Sequence, residues 1–249
     1  MSAEIPPGSL VTGAARGIGL AIARALAERG DDVVLADRDL DEAAAQAELL
    51  RASGYEARAV SLDVTDVDQL RFVIAEVDAA SPLGTLVCNA GIAFDSPVAD
   101  VEPADYDRLM AVNARGVFFT MQAGLRAMLP RRAGSVVNVA STSSFTASTG
   151  PMVLYDASKA TVRMFTQAAA REVAASGVRV NAVAPGTVET DLMRALSTPE
   201  GLERLAAERI PMRRLGRPEE IAGAVAFLSS SAASYVTGHV LVADGGWLT

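Results

Sequence analysis

The chain is short of several things that enzymes often use. It has one cysteine, Cys88, and one histidine, His239, in 249 residues. A lone cysteine excludes any disulfide within the chain, which fits a reducing compartment. A zinc site built from His and Cys would need nearly all of both, far apart in sequence. Neither a metal hydrolase nor a zinc alcohol dehydrogenase is expected, and no metal is assigned. A Ser-His-Asp triad would have to use His239, and no Gly-x-Ser-x-Gly elbow accompanies it. His239 and Cys88 therefore read as structural. Basic tracts are short too. None exceeds Arg131-Arg132 or Arg213-Arg214, and the net charge is −8. Nucleic-acid affinity comes mainly from Lys and Arg against phosphate, so no nucleic-acid partner is expected. No stretch approaches the ~18 apolar residues of a membrane span, and residues 1–8 carry no apolar leader. The expectation is a soluble, cytoplasmic protein with no membrane partner.

What is present is a full complement of core material. Hydrophobic residues make up 50% and charged residues 21% of the chain, the balance of a globular protein. Short β-rich runs (9–12, 32–36, 56–62, 85–89, 135–140, 178–183 and 239–242) alternate with helical patterns. The latter cover 18–28, 40–52, 67–79, 103–129, 152–175 and 219–228. Near-continuous apolar strands alternating with helices argue a parallel sheet covered on both faces. With no linker or repeat, 1–249 reads as one domain. The one long irregular segment, 186–218, is interrupted by Pro199 and Pro211 and reads as a lid or binding loop.

A glycine-rich turn joins the first strand to the first helix, Leu10-Val11-Thr12-Gly13-Ala14-Ala15-Arg16-Gly17-Ile18-Gly19. Gly13 permits a tight exit from the strand. Gly17 and Gly19 allow close approach of a ligand and of helix to strand. The N–H groups of the helix start, around Arg16, Gly17 and Ile18, are then free for a pyrophosphate. Asp37 ends the second strand, where a carboxylate can take both hydroxyls of an adenosine ribose and repel a 2′-phosphate. That argues NAD. Arg16 and Arg38 argue the other way, since either could reach a phosphate, and keep NADP possible. Asp63 and Val64 end the third strand and could bracket an adenine, or Asp63 could cap the following helix. Asn89-Ala90-Gly91 ends the fourth strand with small residues that allow a cofactor to approach.

Tyr155 and Lys159 lie four apart in a helical pattern, hence on one face. A cation beside a phenol favours the phenolate and lowers its pKa, making a general acid/base.

Taken together, Thr12 to Gly19, Asn89-Ala90-Gly91 and Tyr155 to Lys159 resemble the motifs of the short-chain dehydrogenase/reductase family across essentially the whole chain. The resemblance implies a single-domain Rossmann fold, a doubly wound seven-stranded parallel sheet. It implies hydride transfer between a nicotinamide cofactor and a secondary alcohol or ketone. Tyr155 matches the proton donor/acceptor, and Lys159 the residue that tunes it and holds the nicotinamide ribose. Ser141 matches the hydroxyl that polarises the carbonyl, although Ser143 is an alternative because the Ser141–Tyr155 gap is long. Asn113 matches the residue that positions a water leading to Lys159. Pro185, Gly186, Val188 and Thr190 match the segment that meets the nicotinamide. Gly238 and Asp244-Gly245-Gly246 match a C-terminal signature often packed in a tetramer, so a homotetramer is expected.

The expected substrate pocket draws on Phe94, Ser143, Phe145, Glu189 and Met193, with Ile92, Leu192 and the residues just before Tyr155. Its apolar character suits a small or medium ketone or alcohol. One alternative is a 3-oxoacyl-[acyl-carrier-protein] reductase using NADPH, for which Arg131-Arg132 argue and Asp37 argues against. A dinucleotide sensor without chemistry is a remote alternative, because Asn113, Ser141, Tyr155 and Lys159 are all retained.

Overall fold

In the computed structural model, which describes residues 7–249, all seven strands join one parallel sheet. The strands are β1 (Gly8–Thr12), β2 (Asp32–Asp37), β3 (Ala57–Ser61), β4 (Leu83–Cys88), β5 (Gly134–Val139), β6 (Val178–Pro185) and β7 (Val240–Ala243). Their order is β3-β2-β1-β4-β5-β6-β7. The chain thus winds outward in one direction from β1, then returns to the centre and winds the other way from β4. Between β1 and β4 the order reverses, and a crevice must open at their carboxyl ends.

The strands are buried on both faces, which is why they read as unbroken apolar runs. Successive side chains point to opposite sides. Leu10, Val34, Leu86 and Val136 meet α3 (Val67–Ala80), α5 (Val117–Met128) and α6 (Val153–Val173) through Leu70, Ile74, Met121, Val162 and Ala170. Val11, Leu35, Val87 and Val137 face the other way. They pack on α1 (Gly17–Glu28), α2 (Leu40–Ala52) and α9 (Pro218–Ser229) through Ile22, Leu26, Leu50, Ile221 and Val225. Asp39 and Asp66 cap α2 and α3, each accepting a backbone N–H from the first turn. Asp63 does not cap the helix; its carboxylate accepts the Thr65 N–H and hydroxyl in the turn before it.

Two expectations change. The helical pattern over 103–129 is not one regular helix. α4 (Pro103–Met110) passes through a π turn, Ala111–Gly116, into α5. A π turn inserts an extra residue per turn and often marks a functional site. Nor is 186–218 irregular throughout. It holds α7 (Asp191–Leu196) and α8 (Pro199–Arg209). Thr190 and Thr198 cap them, accepting from Met193 N and Gly201 N. Pro199 is the first residue of α8, where its fixed φ favours a helix and its missing N–H costs nothing.

Exposed His239 acts through its backbone, donating its N–H to Asn181 Oδ1. Buried Cys88 has its thiol pKa pushed well above the ordinary range by desolvation. Among the described residues, no helix is long and apolar enough to cross a membrane. No group of three or more His, Cys, Asp or Glu could hold a metal ion there. The expectation about a leader falls partly on residues 1–6, outside those described.

Candidate active site

The crevice between β1 and β4 opens into a cavity of about 490 Å³. One end is the glycine-rich turn. Gly13 and Gly17 have φ of +64° and +57°, left-handed values that suit glycine. The turn is braced from the neighbouring strand. Asn89 Nδ2 donates to Thr12 O and Gly13 O, both at 2.9 Å. Thr12 Oγ1 accepts the N–H groups of Asn89 and Ala90 at 3.1 and 3.2 Å. Asn89 thus fastens two strand ends together, and Thr12, buried beside the turn, is a supporting residue that the motif alone did not single out.

This end suits a pyrophosphate. No side chain caps α1 at Arg16, and the first turn of α1 has no acidic residue. Gly17, Ile18 and Gly19 of that turn line the cavity, and a helix start with uncapped N–H groups favours an anion there. Further along, Asp37 lines the wall with Arg38, Asp63 and Val64. The Asp37 carboxylate accepts Ala15 N and Asp39 N, both at 3.0 Å, which fixes its orientation. Arg16 also lines the cavity but forms an ion pair with Asp39. Arg38 is exposed and forms no ion pair among the described residues. Asp63 has a depressed carboxyl pKa, chiefly from the Thr65 N–H and hydroxyl.

At the other end of the cavity stand Ser141, Tyr155 and Lys159. Ser141 follows the tip of β5; Tyr155 and Lys159 lie in the first two turns of α6. Lys159 is 4% exposed and its Nζ donates to Val139 O at 3.0 Å. Burial lowers its pKa to about 8. Nζ lies 5.6 Å from the centroid of the Tyr155 ring. The four-residue spacing of Tyr155 and Lys159 predicts a phenol held below its ordinary pKa. Here it is raised: burial is the largest cause, the Ser141 hydroxyl opposes it, and the Asp156 charge adds to it. Desolvation penalises the phenolate more than its neighbours stabilise it.

Asn113 sits fully buried in the π turn. Its Oδ1 accepts Ile92 N at 2.9 Å, and its Nδ2 donates to Ile92 O at 2.8 Å and Ser158 Oγ at 3.2 Å. Ser158 in turn donates to Tyr155 O at 2.7 Å. Asn113 therefore locks the backbone after β4 to α6. A Cβ on Gly91 would lie 3.4 Å from Asn113 Oδ1 and 3.5 Å from Lys159 Nζ, so the two polar groups flank the same point.

The end of β6 and the segment after it form another wall. Pro185, Gly186, Val188, Thr190 and Met193 line the cavity, joined by Asp191 and Leu192. The Thr190 hydroxyl is engaged in capping α7. Of the other residues expected around a substrate, Phe94 lies under the Arg108 guanidinium and Phe145 under that of Arg163, each at 4.8 Å. Glu189 pairs with Arg194 at 3.3 Å. The Ser143 hydroxyl meets Ser148 Oγ at 3.0 Å. None of these four is in the cavity lining. Arg131 and Arg132 stand by the amino end of β5, opposite Ser141. Asp78 and Leu83 O hold Arg131, and Arg132 donates to Ala175 O.

A doubly wound parallel sheet with a glycine-rich turn and a crevice at its switch point is the architecture that binds dinucleotides. The comparisons agree. A family model described as enoyl-(acyl carrier protein) reductase matches residues 13–248. The galactitol 2-dehydrogenase (L-tagatose-forming) of Cereibacter sphaeroides is 42% identical over 241 residues, covering 95% of this chain and 93% of that protein. A 3-oxoacyl-[acyl-carrier-protein] reductase of Aquifex aeolicus is 38% identical over 240 residues, 96% of each. The crystal structure of a gluconate 5-dehydrogenase from Burkholderia cenocepacia, in complex with NADP and tartrate, superposes with a TM-score of 0.92 at 38% identity. It covers 96% of this chain and 94% of that one. The chain belongs to the short-chain dehydrogenase/reductase family and is an oxidoreductase acting on alcohols and ketones.

Proposed function

We propose that the protein interconverts a secondary alcohol and its ketone with NAD(H), using Tyr155 as the acid/base. The observation that carries this reading is the meeting of Ser141, Tyr155 and Lys159 at one end of a cavity that begins at the glycine-rich turn. A bound nicotinamide supplies the hydride acceptor or donor. In oxidation the Tyr155 phenolate takes the hydroxyl proton as the C–H bond gives up its hydride. In reduction the phenol returns that proton to the carbonyl oxygen. Ser141 donates a hydrogen bond to the same oxygen and stabilises its developing charge. Lys159, fixed against Val139 O, would hold the ribose hydroxyls of the bound nicotinamide cofactor. The raised phenol pKa keeps Tyr155 protonated in the free protein, the state that reduction requires.

Asp37 supports NAD over NADP, because an oriented carboxylate at the ribose repels a 2′-phosphate. The engagement of Arg16 by Asp39 points the same way. The second reading, a 3-oxoacyl-[acyl-carrier-protein] reductase using NADPH, draws on the Aquifex aeolicus relative. Its expected basic dock is weakened because Arg131 is already held by Asp78. The test is a panel of galactitol, D-gluconate and acetoacetyl-CoA with NAD(H) and NADP(H), followed by the absorbance of the reduced nicotinamide. Tyr155→Phe should lower turnover at least ~100-fold, the scale of general acid/base catalysis, with cofactor binding intact. Near-parental turnover in that variant overturns the assignment. A homotetramer is the expected assembly, checked by light scattering.

A further inference from the structure

We propose that Asp156 is a positioning residue of this centre: its carboxylate clamps the loop between β5 and α6 and so fixes the Ser141 hydroxyl. This role rests on the reading of Ser141 and Tyr155 given above. Both carboxylate oxygens are committed to one residue. Oδ2 accepts the Ser148 N–H at 2.9 Å and Oδ1 accepts the Ser148 hydroxyl at 2.6 Å. Ser148 Oγ lies 3.0 Å from Ser143 Oγ, and the Ser143 N–H donates to Ser141 Oγ at 3.1 Å. An unbroken path therefore runs from a charge on the catalytic helix to the hydroxyl that meets the substrate oxygen.

The loop needs such a tie. Residues 142–152 contain no charged side chain and form only one 3-10 turn, Thr142–Ser144. Little apolar burial holds them, and such segments open readily. Besides the Arg163 guanidinium over Phe145, two side-chain hydrogen-bonded ties join the loop to α6. One is the Asp156 clamp; the other is Ser144 Oγ, which donates to Lys159 O at 2.8 Å. They meet α6 three residues apart, at Asp156 and Lys159. Bonds to an ionised acceptor are roughly twice as strong as neutral ones, so the carboxylate is the stronger. An acidic residue in the first turn of a helix also favours the dipole. That role would leave the oxygens free for water, whereas here both face the loop.

Asp156 has a second effect on its neighbour. The Tyr155 phenol is raised first by burial, lowered by Ser141, and raised again by the Asp156 charge. The charged groups facing this phenol are few. Lys159 stands on the same helix, and Asp191 of α7 lines the same cavity while paired with Arg194. Residues 142–152 contribute none.

Three variants separate positioning from charge and from structural support. Asp156→Asn keeps the shape: its oxygen accepts the Ser148 N–H and its amide donates to the hydroxyl, but the charge is gone. Asp156→Ala removes both. Ser148→Ala cuts the path to Ser143 and keeps the charge. Turnover is measured with the galactitol, D-gluconate and acetoacetyl-CoA panel. The Tyr155 titration is read independently as the tyrosinate absorbance lost in Tyr155→Phe, with NAD present. Asp156→Ala and Ser148→Ala should each lower kcat about 10-fold or more, within the range for misplaced catalytic groups, and leave NAD binding unchanged. Asp156→Asn should retain most of kcat. The Tyr155 titration should move down in both Asp156 variants and stay in place in Ser148→Ala. Parental kcat in Ser148→Ala or Asp156→Ala overturns the role, as does a kcat in Asp156→Asn as low as in Asp156→Ala; an unmoved titration in Asp156→Asn overturns only the charge effect. Parental turnover in Tyr155→Phe would instead refute the acid/base reading.

Discussion

Replacing Gly19 by alanine would put a methyl group where no space exists. Its Cβ would lie 2.0 Å from Gly13 O, 2.5 Å from Asn89 Nδ2 and 2.9 Å from the Gly13 carbonyl carbon. Two of these are backbone atoms of the turn, and the third is the amide that braces it. Relief requires shifting the Gly13 carbonyl and expelling the Asn89 amide from Thr12 O and Gly13 O. Two lost hydrogen bonds cost about 1 kcal/mol each. Overpacking adds about 1–3 kcal/mol, while alanine's better helix propensity returns about 1. The net is a loss of about 2–4 kcal/mol by these terms. For a chain of this length each kcal/mol moves the thermal midpoint by about 2–4 °C, so a drop of about 5–15 °C is expected. Because the displaced atoms form the cofactor end of the cavity, NADH affinity should fall as well. Thermal melting and a titration of reduced-nicotinamide fluorescence measure the two effects. Gly223→Ala is the control. No atom lies within 4 Å of its Cβ on α9, and it should gain up to about 1 kcal/mol. A Gly19→Ala protein that melts within about 2 °C of the parent and binds NADH equally well would refute this account of the turn.

Lys159 is the chain's only lysine, so selectively labelled lysine gives one side-chain NMR signal. It should titrate near the burial-lowered value of about 8 in the cofactor-free protein. A titration at the ordinary 10.5 would contradict that burial. Between about 8 and 10.5 the unfolded chain binds a proton here that the folded chain does not, so this group's penalty is full below 8 and fades as pH rises. Lys159→Met should therefore melt higher than the parent at pH ~7, lose that advantage by pH ~10, and show no turnover. A Met variant less stable at neutral pH would sink the linkage. Asp37→Ala should narrow the ratio of NAD to NADP efficiency by about 10-fold, the scale of one charge removed from a binding site. A parent that already prefers NADPH would overturn the role given to Asp37.

Much of the molecule could be read from local pattern. Alternating β and helical segments gave a doubly covered parallel sheet, because strands buried on both faces must be apolar throughout. The glycine-rich turn and the Tyr155–Lys159 spacing are local geometries, fixed by glycine backbone freedom and by the helical repeat. What depended on contacts between distant segments was not legible. Asn113 falls within a pattern that reads as continuous helix; only its commitment to Ile92 and Ser158 goes with the π turn. Pro199 reads as a breaker and begins a helix, because Thr198 caps it. Arg16 reads as a phosphate ligand until Asp39 occupies it. The sharpest case is Tyr155. The order of residues determines that a cation stands one turn away from the phenol. Only the folded chain determines how much water both groups lose, and at that depth desolvation outweighs the Ser141 hydrogen bond that favours the phenolate.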